Sequence, residues 1–267
     1  MQTVQGGDIN DTYRLDAANA YYFIKINSAS QFPDMFKQEA AGLQLLGQAQ
    51  AIETAKTLWI GQEGDDAYLI LAYIHTGVKG KKFWEDFGRE LASLHQRTSS
   101  HFGLENSNYI GSLVQYNRKE SKWTTFYIEQ RLRPQLDLAI QQERIDRSTI
   151  LKFEQLFKVL ESICPEEKPS LIHGDLWSGN YMVGQRGQPI LIDPAVAYAS
   201  REMDLAMMQL FGGFDQQLYA AYNEVYPLLK DWKNRIPLYQ IYYLMVHVNL
   251  FGGSYLSSVQ QALKNYV

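Results

Sequence analysis

The chain is poor in the residues that build covalent or metal-centred frameworks. It has one cysteine, Cys164, among 267 residues. That excludes an intrachain disulfide and a zinc site built on several thiolates. It fits a reducing compartment, so a cytoplasmic location is expected. Five histidines, at 75, 95, 101, 173 and 247, lie scattered without metal-ligand spacing. No apolar run approaches the ~20 residues of a membrane-spanning helix, and no charged-then-apolar leader opens the chain. Basic runs are missing too: 25 Lys and Arg face 29 Asp and Glu, for a net charge of -4. Nucleic acid and anionic membranes are therefore not expected as partners. What is present is a hydrophobic content of 46%, enough for one large domain or two lobes.

The densest chemistry lies between two apolar runs, Leu171-Ile172 and Ile190-Leu191-Ile192. His173-Gly174-Asp175 follows the first run, and Asn180 stands five residues beyond the aspartate. Tyr181 to Val183 reads as a strand, Gly184 to Pro189 as a turn and Ile190 to Ile192 as the returning strand. This hairpin is predicted to set Asn180 opposite Asp193. A loop carboxylate, an amide and a second carboxylate would then share one mouth. Such a set suits phosphoryl transfer. An aspartate can orient and deprotonate a hydroxyl, while Asn and Asp, as hard oxygen ligands, hold Mg2+ against nucleotide phosphates. The spacing is that of a kinase catalytic loop, with Asp193-Pro194-Ala195 in place of Asp-Phe-Gly. Surface turns share this composition, so residues elsewhere must decide.

The N-terminal third alternates like a small antiparallel sheet. A turn at Gln5 to Asp11, with Gly6 and Gly7, precedes a strand at Thr12 to Leu15 and another at Ala20 to Asn27. Lys25 interrupts the second strand: either it faces outward, or it points under the glycine-rich turn toward the phosphates of ATP. Phe36, Ala40, Leu43 and Gly47 recur at helical spacing, with Asp34 as the expected N-cap. Glu39 lies beside that stripe, where a kinase needs a helix glutamate to pair with the strand lysine. Leu58 to Gln62 and Ala67 to Ile74 read as two further strands. Thr76 to Gly80 follows as a hinge, which places adenine contacts at the backbone of Ala72, Tyr73 and Ile74 by position alone.

From Lys82 onward the pattern is mainly helical. Helices are predicted over Phe83 to Gln96, Trp123 to Ile140 and Ser148 to Ile163. Another runs from Arg201, with an acidic start that suits the helix dipole. The tail from Pro237 is read as helical core with a break at Phe251-Gly252-Gly253. Asn106 to Asn117 reads as an irregular segment of the kind that carries binding groups.

These segments resemble the fructosamine kinases (ketosamine-3-kinases), relatives of aminoglycoside phosphotransferases and choline kinases. The resemblance runs through GGDINDTYRL, YYFIKIN, MFKQEAAGLQLL, FGLENSNYIGSLVQYN, LIHGDLWSGN, LIDPA, REMDLAMMQLFGGF and NLFGGSYL. It implies an α+β, bilobal protein-kinase-like fold. The expected parts are a nucleotide-binding lobe at 1–75, a hinge at 76–80 and a mostly helical catalytic lobe at 81–267. It also implies ATP and Mg2+ as cofactors, with Asp175 as general base and Asn180 and Asp193 as metal ligands. Lys25 and Glu39 would order the phosphates beneath Gly6 and Gly7. His173 and Asp204 would brace the loop, and Trp177 and Asn117 are candidate substrate contacts.

The implied reaction is phosphorylation of the sugar 3-hydroxyl of fructosamines, ribulosamines or erythrulosamines, on small amines or protein lysines. That modification makes such adducts unstable and so promotes deglycation. The alternatives are a phosphotransferase for an aminoglycoside or choline-like amine, and a nucleotide-binding pseudokinase scaffold. Monomer and homodimer both stay open. Three departures stand out. The chain starts almost at the glycine-rich turn, so the first strand is expected to be less shielded. Ala199-Ser200 precedes Arg201 where relatives often have Gly-His. The glycine-rich segment has no cysteine, so no thiol switch is expected there.

Overall fold

The structure, a computed structural model, describes residues 2–4, 9–17 and 20–267. The expected glycine-rich turn with Gly6 and Gly7 lies outside the described residues. The first part of the chain forms β1 (Gln2–Thr3), β2 (Asp11–Ala17), β3 (Ala20–Ser28), α1 (Met35–Gln48), β4 (Glu53–Thr54), β5 (Thr57–Glu63) and β6 (Asp66–Ala72). Five of these strands make an antiparallel sheet in the order β1-β2-β3-β6-β5. Helix α1 covers one face, burying Phe36, Ala40 and Leu43 against Leu69 and Leu71. Each buried Phe or Leu contributes about 1.5–3 kcal/mol relative to exposure. Asp34 holds the N-cap position but its side chain does not cap: its φ is 57° and its carboxylate accepts no backbone N–H. Its carboxylate instead takes Lys37 Nζ at 2.6 Å.

The second part begins with α2 (Phe83–His95) and a small hairpin of β7 (Asn108–Ile110) and β8 (Leu113–Gln115). The hairpin corrects the expectation of an irregular segment, and its two-residue Gly111-Ser112 turn is a regular hairpin signal. Then come α3 (Trp123–Phe126), α4 (Arg133–Gln141), α5 (Arg147–Ile163), β9 (Ser170–Ile172), β10 (Tyr181–Val183), β11 (Pro189–Leu191) and β12 (Ala197–Ala199). A π-helical turn, Tyr127–Leu132, joins α3 to α4, so the predicted single helix is one run with a wide turn inside it. The chain closes with α6 (Glu202–Leu210), α7 (Gln216–Val225), α8 (Trp232–Phe251) and α9 (Leu256–Leu263).

Helix α8 forms the spine of this part. Leu238, Tyr239, Ile241, Tyr242 and Met245 are buried on several of its sides, and it packs against α4, α6 and α9. The arrangement is α+β and bilobal, with a sheet and one main helix in front and a mostly helical body behind. Backbone bonds stitch the two together. β4 pairs in parallel with β11, and the Gly77 and Gly80 amides donate to the Val183 and Gly187 carbonyls at 2.9 and 3.2 Å.

Candidate active site

Lys25 does not face outward. Its side chain is only 4% exposed, pointing under the sheet to α1, where Nζ donates to Glu39 Oε1 at 2.7 Å. The same ammonium reaches Asp193 Oδ1 at 2.5 Å. Burial alone would lower the Lys25 pKa, but Asp193 and Glu39 together outweigh it and hold the amine charged. Glu39 is itself lifted by burial, in spite of its lysine.

The β9–β10 loop carries the second group. Its fold depends on Gly174, where φ is 84° and a Cβ would come within 2.0 Å of the Ala195 carbonyl oxygen. Only glycine allows that approach. His173 is fully buried; Nε2 donates to the Ile192 carbonyl at 2.8 Å and Nδ1 accepts the Asp175 N–H at 3.2 Å. Burial depresses its pKa and keeps the ring neutral, as this donor–acceptor pairing requires.

Asp204, at the start of α6, ties the loop down from below. Its carboxylate accepts the His173 and Gly174 amides, both at 2.8 Å, and lies 3.2 Å from His95 Nε2. Burial would raise its pKa, but His95 and these amides win and hold it below the usual carboxylate range. The acidic start of α6 is as expected, and both acids also have partners off the helix. Its other acid, Glu202, is buried against Arg235 at 2.6 Å.

Asp175 has the opposite environment. Burial, with Asp193 and Asp204 adding repulsion, pushes its pKa up to about 7 against the pull of Asn180. Asn180 Nδ2 donates to the Asp175 carboxylate at 3.0 Å and to its carbonyl at 2.8 Å. The hairpin register differs by one residue from the expectation. Tyr181 pairs with Leu191 and the Ile192 amide donates to the Asn180 carbonyl, so Asn180 faces Ile192. Asp193 still reaches the site because its own φ of 53° turns the chain back at the strand end.

These groups border one cavity of about 850 Å³, lined by Lys25, Glu39, Asp175, Trp177, Asn180 and Asp193. Trp177 stands 39% exposed at its rim. Several expected residues are elsewhere. Asn117 is buried and bonded to Asn108 and Arg131, away from the cavity. Trp123, at the start of α3, stacks on Tyr127 in the core. Ala72, Tyr73 and Ile74 do not line the cavity; Ala72 ends β6, and Tyr73 packs against Tyr21 and His75.

The sequence reading missed the opposite wall, where Asn108, Phe211, Tyr243, His247 and Phe251 face the same space. The two Phe-Gly-Gly runs were its available signal. Chemically, the charged wall offers an anchored cation, a carboxylate that titrates near neutrality, and an amide and a carboxylate able to ligate a hard cation.

The whole chain, residues 1–267, matches the family model described as fructosamine kinase. A protein of Enterococcus faecium described as "Probable ketoamine kinase" is 42% identical, covering 98% of this chain and 94% of its own length. A solved structure from Haemophilus somnus, described as "Putative fructosamine-3-kinase", superposes with a TM-score of 0.89 at 26% identity, covering 100% of this chain and 90% of that one. A choline kinase from Streptococcus pneumoniae shares the fold alone, at TM-score 0.64 and 16% identity, covering 98% of this chain and 91% of that one.

Proposed function

The chain belongs to the fructosamine kinase family and is a kinase, and from that premise we propose that it phosphorylates the 3-hydroxyl of ketosamines with ATP. The reading is carried by the convergence of Lys25, Glu39, Asp175, Asn180 and Asp193 on one cavity. The hydroxyl oxygen forms a bond to the γ-phosphorus of ATP while the bond to the β-phosphate oxygen breaks. The hydroxyl proton passes to Asp175. A carboxylate with a pKa near 7 suits that task, because at neutral pH about half of it is ionised and that half is appreciably basic.

In the proposed division of labour, residues 1–75 hold the nucleotide, 76–80 act as hinge and 81–267 carry the acceptor. Lys25, kept in place by Glu39, takes the phosphates. By its position after β6, the backbone at Ala72, Tyr73 and Ile74 would meet adenine. Asn180 and Asp193 fit Mg2+, since two hard oxygens leave coordination positions that phosphates and water fill. The ion would neutralise phosphate charge. His173 and Asp204 keep Asp175 in register.

The products expected from fructosamines, ribulosamines or erythrulosamines are 3-phosphates that decompose, giving a role in deglycation. A cationic acceptor such as an aminoglycoside fits less well, because the carboxylates lining the described cavity are those of the charged wall. A pseudokinase would not need all five converging groups. One coupled assay decides, using ribulose-, fructose- and erythrulose-amine adducts beside choline and an aminoglycoside. Turnover on ketosamines alone is expected; turnover on the controls alone would overturn the reading.

A further inference from the structure

Arg131 is a buried cation without a counter-ion. It lies in the π-helical turn and is 2% exposed, and burial lowers its pKa. The guanidinium nevertheless stays charged, since protein interiors do not deprotonate it. The other arginines with so little exposure, Arg201 and Arg235, each hold a glutamate at 2.6 Å. Among the described residues no Asp or Glu pairs with Arg131, whose partners are all neutral. It donates to the Tyr116 and Gln130 carbonyls and, at 2.8 Å, to Asn117 Oδ1, and it lies 4.6 Å from the centre of the Phe126 ring. An apolar side chain of similar size would suit such an interior better. The turn that carries it is of a kind that is rare and frequent at functional positions.

What Arg131 has and an apolar residue lacks is direction. Arginine only donates, so Asn117 must turn its oxygen toward it and its Nδ2 the other way. That Nδ2 donates to Asn108 Oδ1 at 2.8 Å, joined there by Gln115 Nε2 at 2.9 Å. With two donors on its oxygen, Asn108 presents Nδ2 to the far side, where it meets the Val196 carbonyl at 2.9 Å. Gln115, whose own oxygen accepts the Tyr242 hydroxyl at 2.8 Å, donates also to the Ala195 carbonyl at 3.0 Å. All three amides are buried, so bulk water does not make good a contact that is lost. The chain therefore ends on the two residues that follow Asp193-Pro194. From the loop side the same segment is held by the Ala195 N–H, which donates to the His173 carbonyl at 3.0 Å. Asp193 depends on such support, because its φ of 53° is uncommon for any residue but glycine.

We propose that Arg131 is a positioning residue for Asp193: a donor-only cation that orients Asn117, Asn108 and Gln115 and, through the Ala195 and Val196 carbonyls, sets the carboxylate that would hold Mg2+. This rests on the phosphoryl-transfer reading above and deepens it. Arg131 does not line the cavity, so it acts only through this chain of amides.

The decisive variant is Asn117→Asp. Its carboxylate, ionised beside Arg131, supplies the missing counter-ion but cannot donate to Asn108, so the polarity of the chain breaks one step from the arginine. Tm is expected to stay within about 3 °C of wild type, because the new ion pair offsets the lost amide bonds. Calorimetry without acceptor then reads the site. Mg2+ should strengthen ATP binding in wild type, and that gain should shrink about tenfold in Asn117→Asp, with metal-free ATP affinity unchanged. In turnover the Mg2+ requirement should rise about tenfold while the acceptor KM holds. Arg131→Met should show the same shift, and Arg131→Lys, still donor-only, should recover a large part of it. A wild-type Mg2+ gain in Asn117→Asp and Arg131→Met would overturn the proposal. So would activity that falls only with the amount of folded protein, or Arg131→Lys no better than Arg131→Met. Wild type that binds ATP equally with and without Mg2+ would remove the metal reading of Asp193 and the proposal with it. Wild type that binds both but phosphorylates no ketosamine would remove the acceptor reading alone.

Discussion

On one wall of the cavity Lys25, Asp175 and Asn180 each have a directional partner at 3.0 Å or less, whereas on the other Phe211, His247 and Phe251 meet one another as tilted rings, with one hydrogen bond from His247 to the Tyr243 carbonyl behind them. The first wall is assembled from β3, α1, the β9–β10 loop and the end of β11, and its groups meet only if every segment is in place. The second comes from two helix ends and tolerates adjustment. Hydrogen bonds and ion pairs fix positions to within tenths of an ångström, while ring packing fixes volume. The proposed reaction places bond-making on the charged wall.

The largest expected effect breaks the charged wall at its centre. Asp175→Asn should lower kcat by about 10²–10⁴-fold, or roughly 3–5.5 kcal/mol of barrier, with little change in nucleotide affinity by calorimetry. A near-normal rate would remove Asp175 as base.

Next is Asp204→Ala. It leaves the His173 and Gly174 amides without their acceptor in a closed interior and should cost about 3–5 kcal/mol of stability. The Tm should fall by roughly 10 °C in a thermal melt. Because the Asp204 pKa is depressed, its contribution is present above the unfolded carboxylate range and disappears as pH drops through its folded value. The variant's deficit should therefore shrink in strong acid.

Smaller is Glu39→Gln, which keeps shape but leaves Lys25 with Asp193 as its charged partner. We expect a rise of about tenfold in the ATP KM, about 1.4 kcal/mol, with the acceptor KM unchanged; a change in the acceptor KM instead would blur the two walls.

The smallest effect concerns pH. The Asp175 pKa is raised to about 7, so its folded form binds the proton more tightly than the unfolded chain does. Stability is lost as pH climbs from the ordinary carboxylate range through about 7. Asp175→Asn lacks this loss. Its Tm relative to wild type should rise between pH 5 and pH 8 by about 2–4 °C, for a discounted cost of about 1 kcal/mol.

The charged wall was legible in the sequence because its chemistry needs particular residue types in a particular order. Lys25, Glu39, Asp175, Asn180 and Asp193 could be named from that alone, though their roles in turnover await the variants above. The hairpin register was misjudged by one because Pro189 belongs to β11, leaving a turn of Gly184 to Gln188. The ring wall was hidden for a different reason. Helix α8 is apolar nearly all round, so periodicity could not show that Tyr243 and His247 look into a cavity while Tyr239 and Tyr242 do not. Asn117 misled because a buried amide network under the site and a binding loop have the same composition.

The pairing of β4 with β11 bears on how the protein is made. A ribosome releases Glu53 and Thr54 long before Ile190 and Leu191 exist, so the front lobe emerges with one strand still waiting for its neighbour. Lys25 waits as well, since Asp193 comes two residues after Leu191. A chain cut short before that point would carry the strand lysine and its helix glutamate, yet would leave no working nucleotide module behind. The front lobe therefore cannot complete its contacts before β11 has left the exit tunnel.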